Sequence, residues 1–163
     1  MTDRSALSIL VADDQVELVE LVAGWLRRAG HQVVGVTSGR QAATVLASRS
    51  VDVVVTDVLM PDGDGIELLG SLRQRAPRPR LIAISGGGRY IESKDCLEIA
   101  RGCGAEIALR KPFTSAQLLA AVQGASSRRR IERRPGRPPR PAQRSEAMSI
   151  TKRYFTSLFS MRS

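Results

Sequence analysis

A chain of 163 residues has room for one ordinary domain and a tail, and two domains of full size would be cramped in it. Its net charge of +9 lies entirely beyond Gly124, since Lys and Arg balance Asp and Glu at 14 each up to that residue and outnumber them 11 to 2 after it. A domain of about 120 residues buries roughly two-thirds of its unfolded surface and needs no staple, and the spacing of Cys96 and Cys103 matches no zinc or redox motif, so reduced thiols are expected.

The start, MTDRSALSILVADD, has only a short apolar run before two carboxylates, which is wrong for a signal peptide and far too short for a membrane span, so a cytoplasmic location is expected. LSILVA (7–12) reads as the first strand, followed by a helix with Leu18, Leu21, Val22 and Trp25 on one face; Asp14 and Glu17 have capping-box spacing at its start. QVVGV (32–36) is the second strand, and Ser38 with Gln41 opens the second helix. VDVVVT (51–56) is the third strand, and Asp64 with Glu67 opens the third helix. RLIAIS (80–85), a fourth helix with the weakest pattern over about 90–102, AEIAL (105–109) and a helix carrying Leu118, Leu119 and Val122 complete the series.

Five short apolar strands alternating with five helices predict a doubly wound α/β domain over residues 5–124, with a parallel sheet covered on both faces. The Arg- and Pro-rich stretch 125–146 lacks the apolar residues to pack and is expected to be a disordered linker. Residues 147–163 regain helical periodicity, with Ile150, Tyr154, Leu158 and Met161 in one stripe beside Phe155 and Phe159.

In such folds ligands bind outside the carboxyl ends of the strands. Asp13 and Asp14 follow the first strand, Asp57 the third, Ser85 ends the fourth and Lys111 follows the fifth. Taken singly, each has a bland reading: the acidic pair as a helix cap, Asp57 as a turn residue, Ser85 as a hydroxyl bonded to nearby backbone. Taken together they converge on one rim, where two carboxylates about 5 Å apart repel by roughly 3 kcal/mol at an effective dielectric of 20. Positive charge must compensate them, and Mg2+ with Lys111 suits that need, leaving one carboxylate to attack phosphorus while Ser85 donates to the transferred group.

The segments ILVADD, VVVTDVLMPDGDGIELL, LIAIS and KPF closely resemble the receiver domains of bacterial two-component response regulators, over about residues 7–124. The resemblance implies a flavodoxin-like sheet of order 2-1-3-4-5 and phosphoryl transfer onto Asp57 from a sensor histidine kinase or a histidine phosphotransfer protein. It implies that Asp14 ligates Mg2+ directly, that Asp13 helps through water, and that the backbone carbonyl of Leu59 completes the protein ligands. Ser85 and Lys111 would contact the phosphoryl group, and the Lys111–Pro112 peptide bond would be cis. Phosphorylation would draw Ser85 inward and bias the face made by the fourth helix and fifth strand.

The sequence departs from the family at Ala108, three residues before Lys111, where a tyrosine or other aromatic usually reports the serine movement. The three glycines of GGGR (86–89) offer either a backbone substitute for that ring or a merely floppy loop. Beyond the domain, RPGRPP (134–139) resembles a minor-groove AT-hook with Pro135 in the place of an arginine, so the tail is either a nucleic-acid contact or a solvated linker. The terminal stripe would dock on a partner or on a second copy of the chain, with a membrane surface as the lesser reading.

Three functions follow from these readings. The leading one is a receiver acting as a phosphorelay intermediate, phosphate sink or protein-interaction switch, since about 40 residues of Arg-rich tail cannot form a winged-helix output domain. The second is a receiver whose basic tail makes it a minimal transcriptional regulator. The third is an aspartate-nucleophile phosphatase of the haloacid dehalogenase type, which needs a second aspartate two residues beyond the nucleophile, where this chain has Leu59. His31 lies at the start of the second strand, on the wrong side for catalysis, and Asp62 and Asp64 look like loop and cap residues. The protein is therefore not expected to be a turnover enzyme.

Overall fold

The computed structural model describes residues 6–61, 64–72, 74–86, 98, 100–102 and 104–132, without the side chains of 64, 66 and 125–132. Its strands are β1 (Ser8–Ala12), β2 (Gln32–Val36), β3 (Val53–Asp57), β4 (Arg80–Ser85) and β5 (Ile107–Arg110). Its helices are α1 (Val16–Arg28), α2 (Gly39–Ser48), α3 (Asp64–Leu72) and α4 (Ser115–Glu132). All four strand pairings are parallel and the order is β2-β1-β3-β4-β5, as expected.

Each central strand is apolar on both faces because each face is covered. Along β1, Ile9 and Val11 join Val53, Val55, Ile82 and Ile84 under Val19, Val22 and Leu26 of α1 and Leu118 and Val122 of α4. The alternate residues Leu10, Val54, Leu81 and Ala83 pack under Ala42 and Leu46 of α2 and Leu68, Leu69 and Leu72 of α3. The two-residue period of a strand thus splits a continuous apolar run into two cores. On the first of these faces the Trp25 ring meets Phe113 edge to face, with centroids 6.3 Å apart and planes at 79°.

Several local expectations shift. Asp14 and Glu17 do not form the cap of α1: the N-cap is Gln15, whose side chain makes no capping bond, while Asp13 Oδ1 accepts the Gln15 N–H at 2.9 Å. The helix starts one residue late because the acidic pair is turned towards the strand ends. Ser38 does cap α2, its Oγ accepting the Gln41 N–H, and Gln41 Oε1 reaches back to the Thr37 N–H at 2.9 Å. β3 includes Asp57, which pairs with Ile84. β5 starts at Ile107 because the Ala105 N–H still closes the preceding helical turn on Ala100.

Glu98 and residues 100–102 of the helix expected at 90–102 are helical, and the rest of it lies outside the described residues. α4 opens on an unforeseen reciprocal cap: Thr114 Oγ1 accepts the Gln117 N–H at 3.2 Å and Gln117 Oε1 accepts the Thr114 N–H at 2.8 Å. The helix continues past Gly124 to Glu132, so the first eight residues of the stretch expected as linker are helical; Arg and Glu are good helix formers and Pro135 is the first proline beyond α4. No helix among the described residues is long and apolar enough to cross a membrane. The Arg- and Pro-rich run from residue 133, the terminal stripe, both cysteines, Asp62 and the glycines at 87–88 lie outside the described residues.

Candidate functional site: an acidic rim with one lysine

A parallel sheet brings all its strand ends to one edge, and backbone bonds tie that edge together. The Asp13 N–H donates to Val36 at 3.3 Å, the Val58 N–H to Ile84 at 3.0 Å and the Lys111 N–H to Ser85 at 2.8 Å. Asp13, Asp57 and Ser85 are buried, whereas Asp14 is exposed. Carboxylate oxygens of Asp13, Asp14 and Asp57 lie within 4.8 Å of one another.

Lys111 reaches into this group from the end of β5, with Nζ 2.7 Å from Asp13 Oδ2 and 2.6 Å from Asp57 Oδ2. The other oxygen of each buried carboxylate is held by backbone: the Gln15 N–H on Asp13 Oδ1 at 2.9 Å, the Leu59 N–H on Asp57 Oδ1 at 2.8 Å. Each carboxylate is therefore oriented at both ends. The Lys111–Pro112 bond is cis. Among the described residues, Ser85 Oγ is the buried side-chain polar atom that has no hydrogen-bond partner. Burial of an unbonded hydroxyl is costly, so this atom fits a site completed by an added acceptor.

Burial pushes the Asp13 carboxyl up, and although the Lys111 ammonium and the Gln15 amide pull it down, it stays above its ordinary 3.8. Burial pulls Lys111 down, but its bonds to Asp13 and Asp57 outweigh this and hold it above 10.5. A carboxyl raised in the folded chain favours folding in its protonated form, an effect full below 3.8 and lost as pH rises through the folded value. At neutral pH charged Asp13 thus weakens the metal-free fold. In chelator the native chain is expected to gain on Asp13→Asn in urea midpoint as pH falls from 7 towards 3.8, and a difference between the two proteins that does not change with pH refutes this.

The rim gathers every side chain the sequence singled out: Asp13, Asp14, Asp57, Ser85 and Lys111, with Leu59 beside them through its amide. His31 is at the other end of the sheet, where its Nδ1 accepts the Leu7 N–H at 3.3 Å. Ala108 is half-buried against the α2–α3 core and borders a cavity of about 420 Å³ that Lys111, Phe113 and Gln117 also line. Two glycines escaped the sequence reading as site elements. A Cβ on Gly86 would stand 3.3 Å from Lys111 Cδ, and one on Gly65 would stand 2.7 Å from the Asp57 carbonyl oxygen. Gly86 drew notice only for its flexibility, and Gly65 only as part of the VVVTDVLMPDGDGIELL segment, with no role of its own.

Three carboxylates and one ammonium leave two net negative charges on a rim of hard oxygen donors, a set that a divalent cation fits. The family model for the response regulator receiver domain matches residues 9–123. Response regulator GtcR of Aneurinibacillus migulanus is 32% identical over 125 residues, which are 77% of this chain and 49% of that protein. Transcriptional regulatory protein TcrA of Mycobacterium tuberculosis is 31% identical over 131 residues, 80% of this chain and 50% of the relative. The chain spans about half the length of these curated relatives. Among solved structures, a response regulator receiver domain protein from Clostridium thermocellum superposes with a TM-score of 0.70 at 28% identity, covering 77% of this chain and 98% of that one. The receiver domain of the Francisella response regulator 1452 gives 0.66 at 26% identity, over 76% and 98%. The matched span takes in all five strands but for Ser8 at the start of β1, together with the acidic rim, and the chain belongs to the response regulator receiver domain family of two-component systems.

Proposed function

We propose that this chain is a phosphoacceptor response regulator in which Asp57 receives a phosphoryl group from the phosphohistidine of a sensor histidine kinase or histidine phosphotransfer protein. The observation that carries the reading is one ammonium bonded to two buried carboxylates, at 2.6 and 2.7 Å, beside the buried and unbonded Ser85 hydroxyl. Asp13, Asp14 and Asp57, with the Leu59 carbonyl, would hold Mg2+, which when bound supplies positive charge against the phosphoryl oxygens. An Asp57 oxygen forms the new bond to phosphorus as the bond to the histidine nitrogen breaks and its electron pair leaves with that nitrogen. Lys111 and Ser85 donate to the transferred oxygens. The product carries about −1.5 to −2 charges and three new acceptors, which changes the protein surfaces that the rim supports.

The acceptor carboxylate is used up by transfer, and Leu59 offers no proton for ester turnover, so the chain is a switch and not a turnover enzyme. The same reading assigns residues 5–124 to the receiver, 125–146 to a basic linker whose first eight residues continue α4, and 147–163 to a terminal interaction segment, in a cytoplasmic protein that pairs through its receiver or terminus. Incubation with an acyl phosphate is the test: a phosphate-sized gain in intact mass that needs Mg2+ supports the assignment, and no gain at any Mg2+ concentration refutes it.

The 11 Lys and Arg against two Glu after Gly124 support a secondary reading, contact with nucleic-acid phosphates. Duplex DNA binding that weakens steeply with salt is its expected signature, and its absence removes the reading.

A further inference from the structure

The peptide joining Asp57 to Val58 is the hinge of the rim. Asp57 carries one carboxylate, and two residues on Leu59 supplies the amide that fixes it. On its inner side this peptide is tied to β4 by the Val58 N–H on Ile84, and Thr56 Oγ1 donates to the Asp57 carbonyl at 3.0 Å. On its outer side α3 presses against it, and the contact is made by Gly65, the second residue of that helix.

Gly65 is buried and has no spare room. A Cβ there would lie 2.6 Å from the Val58 carbonyl oxygen, 2.7 Å from the Asp57 carbonyl oxygen and 3.0 Å from the Val58 carbonyl carbon. All three are backbone atoms, so no side-chain rotation relieves the overlap; either α3 or the peptide must retreat by roughly 0.8 Å to reach ordinary contact in a close-packed interior. Mg2+ demands oxygen distances near about 2.0–2.1 Å in octahedral geometry, and a misplacement of about 1 Å in a reacting group costs on the order of 10²-fold in rate. A shift of that size therefore matters to both.

We propose that Gly65 is a positioning residue of the rim: by placing no atoms between α3 and the Asp57–Val58 peptide, it sets where the Asp57 carboxylate and the Leu59 carbonyl stand. It thereby sets how tightly the site holds a divalent cation and how fast Asp57 is phosphorylated. This rests on the function proposed above.

Gly65→Ala in the full chain is compared with Gly104→Ala. Gly104 lies near the other end of β5 with φ +91 and an added Cβ against the flexible Arg78, so its substitution strains the fold far from the rim. Mg2+ affinity is read from the stabilisation of urea unfolding at increasing Mg2+, which follows the ratio of Mg2+ concentration to Kd and is measurable in a weakened variant, with sucrose added if needed to refold it. Gly65→Ala is expected to raise the Kd about tenfold and slow acyl-phosphate labelling by about tenfold or more, while Gly104→Ala loses stability with the Kd unchanged. A Gly65→Ala protein within twofold of wild type on both measures overturns the inference alone, as does an equal loss of affinity in Gly104→Ala. A wild-type chain with no Mg2+-linked stabilisation overturns the proposed function and this inference with it.

Discussion

Asp57→Asn is expected to abolish the phosphate-sized mass gain that the native chain shows with acyl phosphate and Mg2+. Of the rim carboxylates, Asp14 is exposed, and Asp13 and Asp57 are each fixed by a backbone amide on one oxygen and by Lys111 on the other; Asp57 is the one that ends the central strand β3. An amide has nearly the same shape, so the Leu59 contact survives, but it has no negative charge with which to attack phosphorus. Its NH2 group would also face the Lys111 ammonium, donor against donor, so a stability loss of about 1 kcal/mol accompanies the substitution. Labelling that persists in Asp57→Asn and maps to Asp13 or Asp14 would move the acceptor elsewhere and end the assignment.

Lys111→Met should split two properties that usually move together. Two carboxylates within 4.8 Å repel by roughly 3 kcal/mol at an effective dielectric of 20 once the ammonium between them is gone. Breaking a buried pair costs about 3–5 kcal/mol; with the Lys111 side chain 17% exposed, water screens part of that, and a loss of about 2–3 kcal/mol in chelator is expected. The rim then carries three uncompensated negative charges, so Mg2+ binds more tightly and restores stability by more than in the native chain. Labelling of Asp57 nevertheless falls by about 10²-fold, since no ammonium meets the transferred oxygens. Because the Lys111 pKa is raised, its stabilising charge is fully present below 10.5 and is lost as pH rises through the folded value, so native and Lys111→Met stabilities converge in strong base. Equal urea midpoints for the two proteins in chelator at neutral pH would contradict the electrostatic account.

Much of this rim was legible because it hangs on strand ends, and strand ends are punctuated. VVVTD and LIAIS are short apolar runs that stop at a polar residue, and in a parallel sheet such stops fall on one edge. Their boundaries were less legible: Asp57 looked like the residue after β3 and is its last, because pairing with Ile84 extends the ladder one step further than apolar character does. The Asp14–Glu17 spacing misled because a capping box describes what side chains can do for a helix, and here the tertiary site claimed the acidic pair first. Thr114 and Gln117 had the same spacing and formed the reciprocal cap, with no neighbouring carboxylates or ammonium competing for them. Gly65 was illegible for a different reason. A glycine required by three backbone atoms from another segment leaves no periodic trace; only the packed fold reveals the absence of room.

The edge-to-face pair of Trp25 and Phe113 has a practical side. The chain has a single tryptophan, and its neighbour is two residues from the lysine that bridges Asp13 and Asp57. The indole emission of the protein accordingly arises from one ring beside the segment that loading of the rim would disturb, a built-in optical gauge that needs no attached dye.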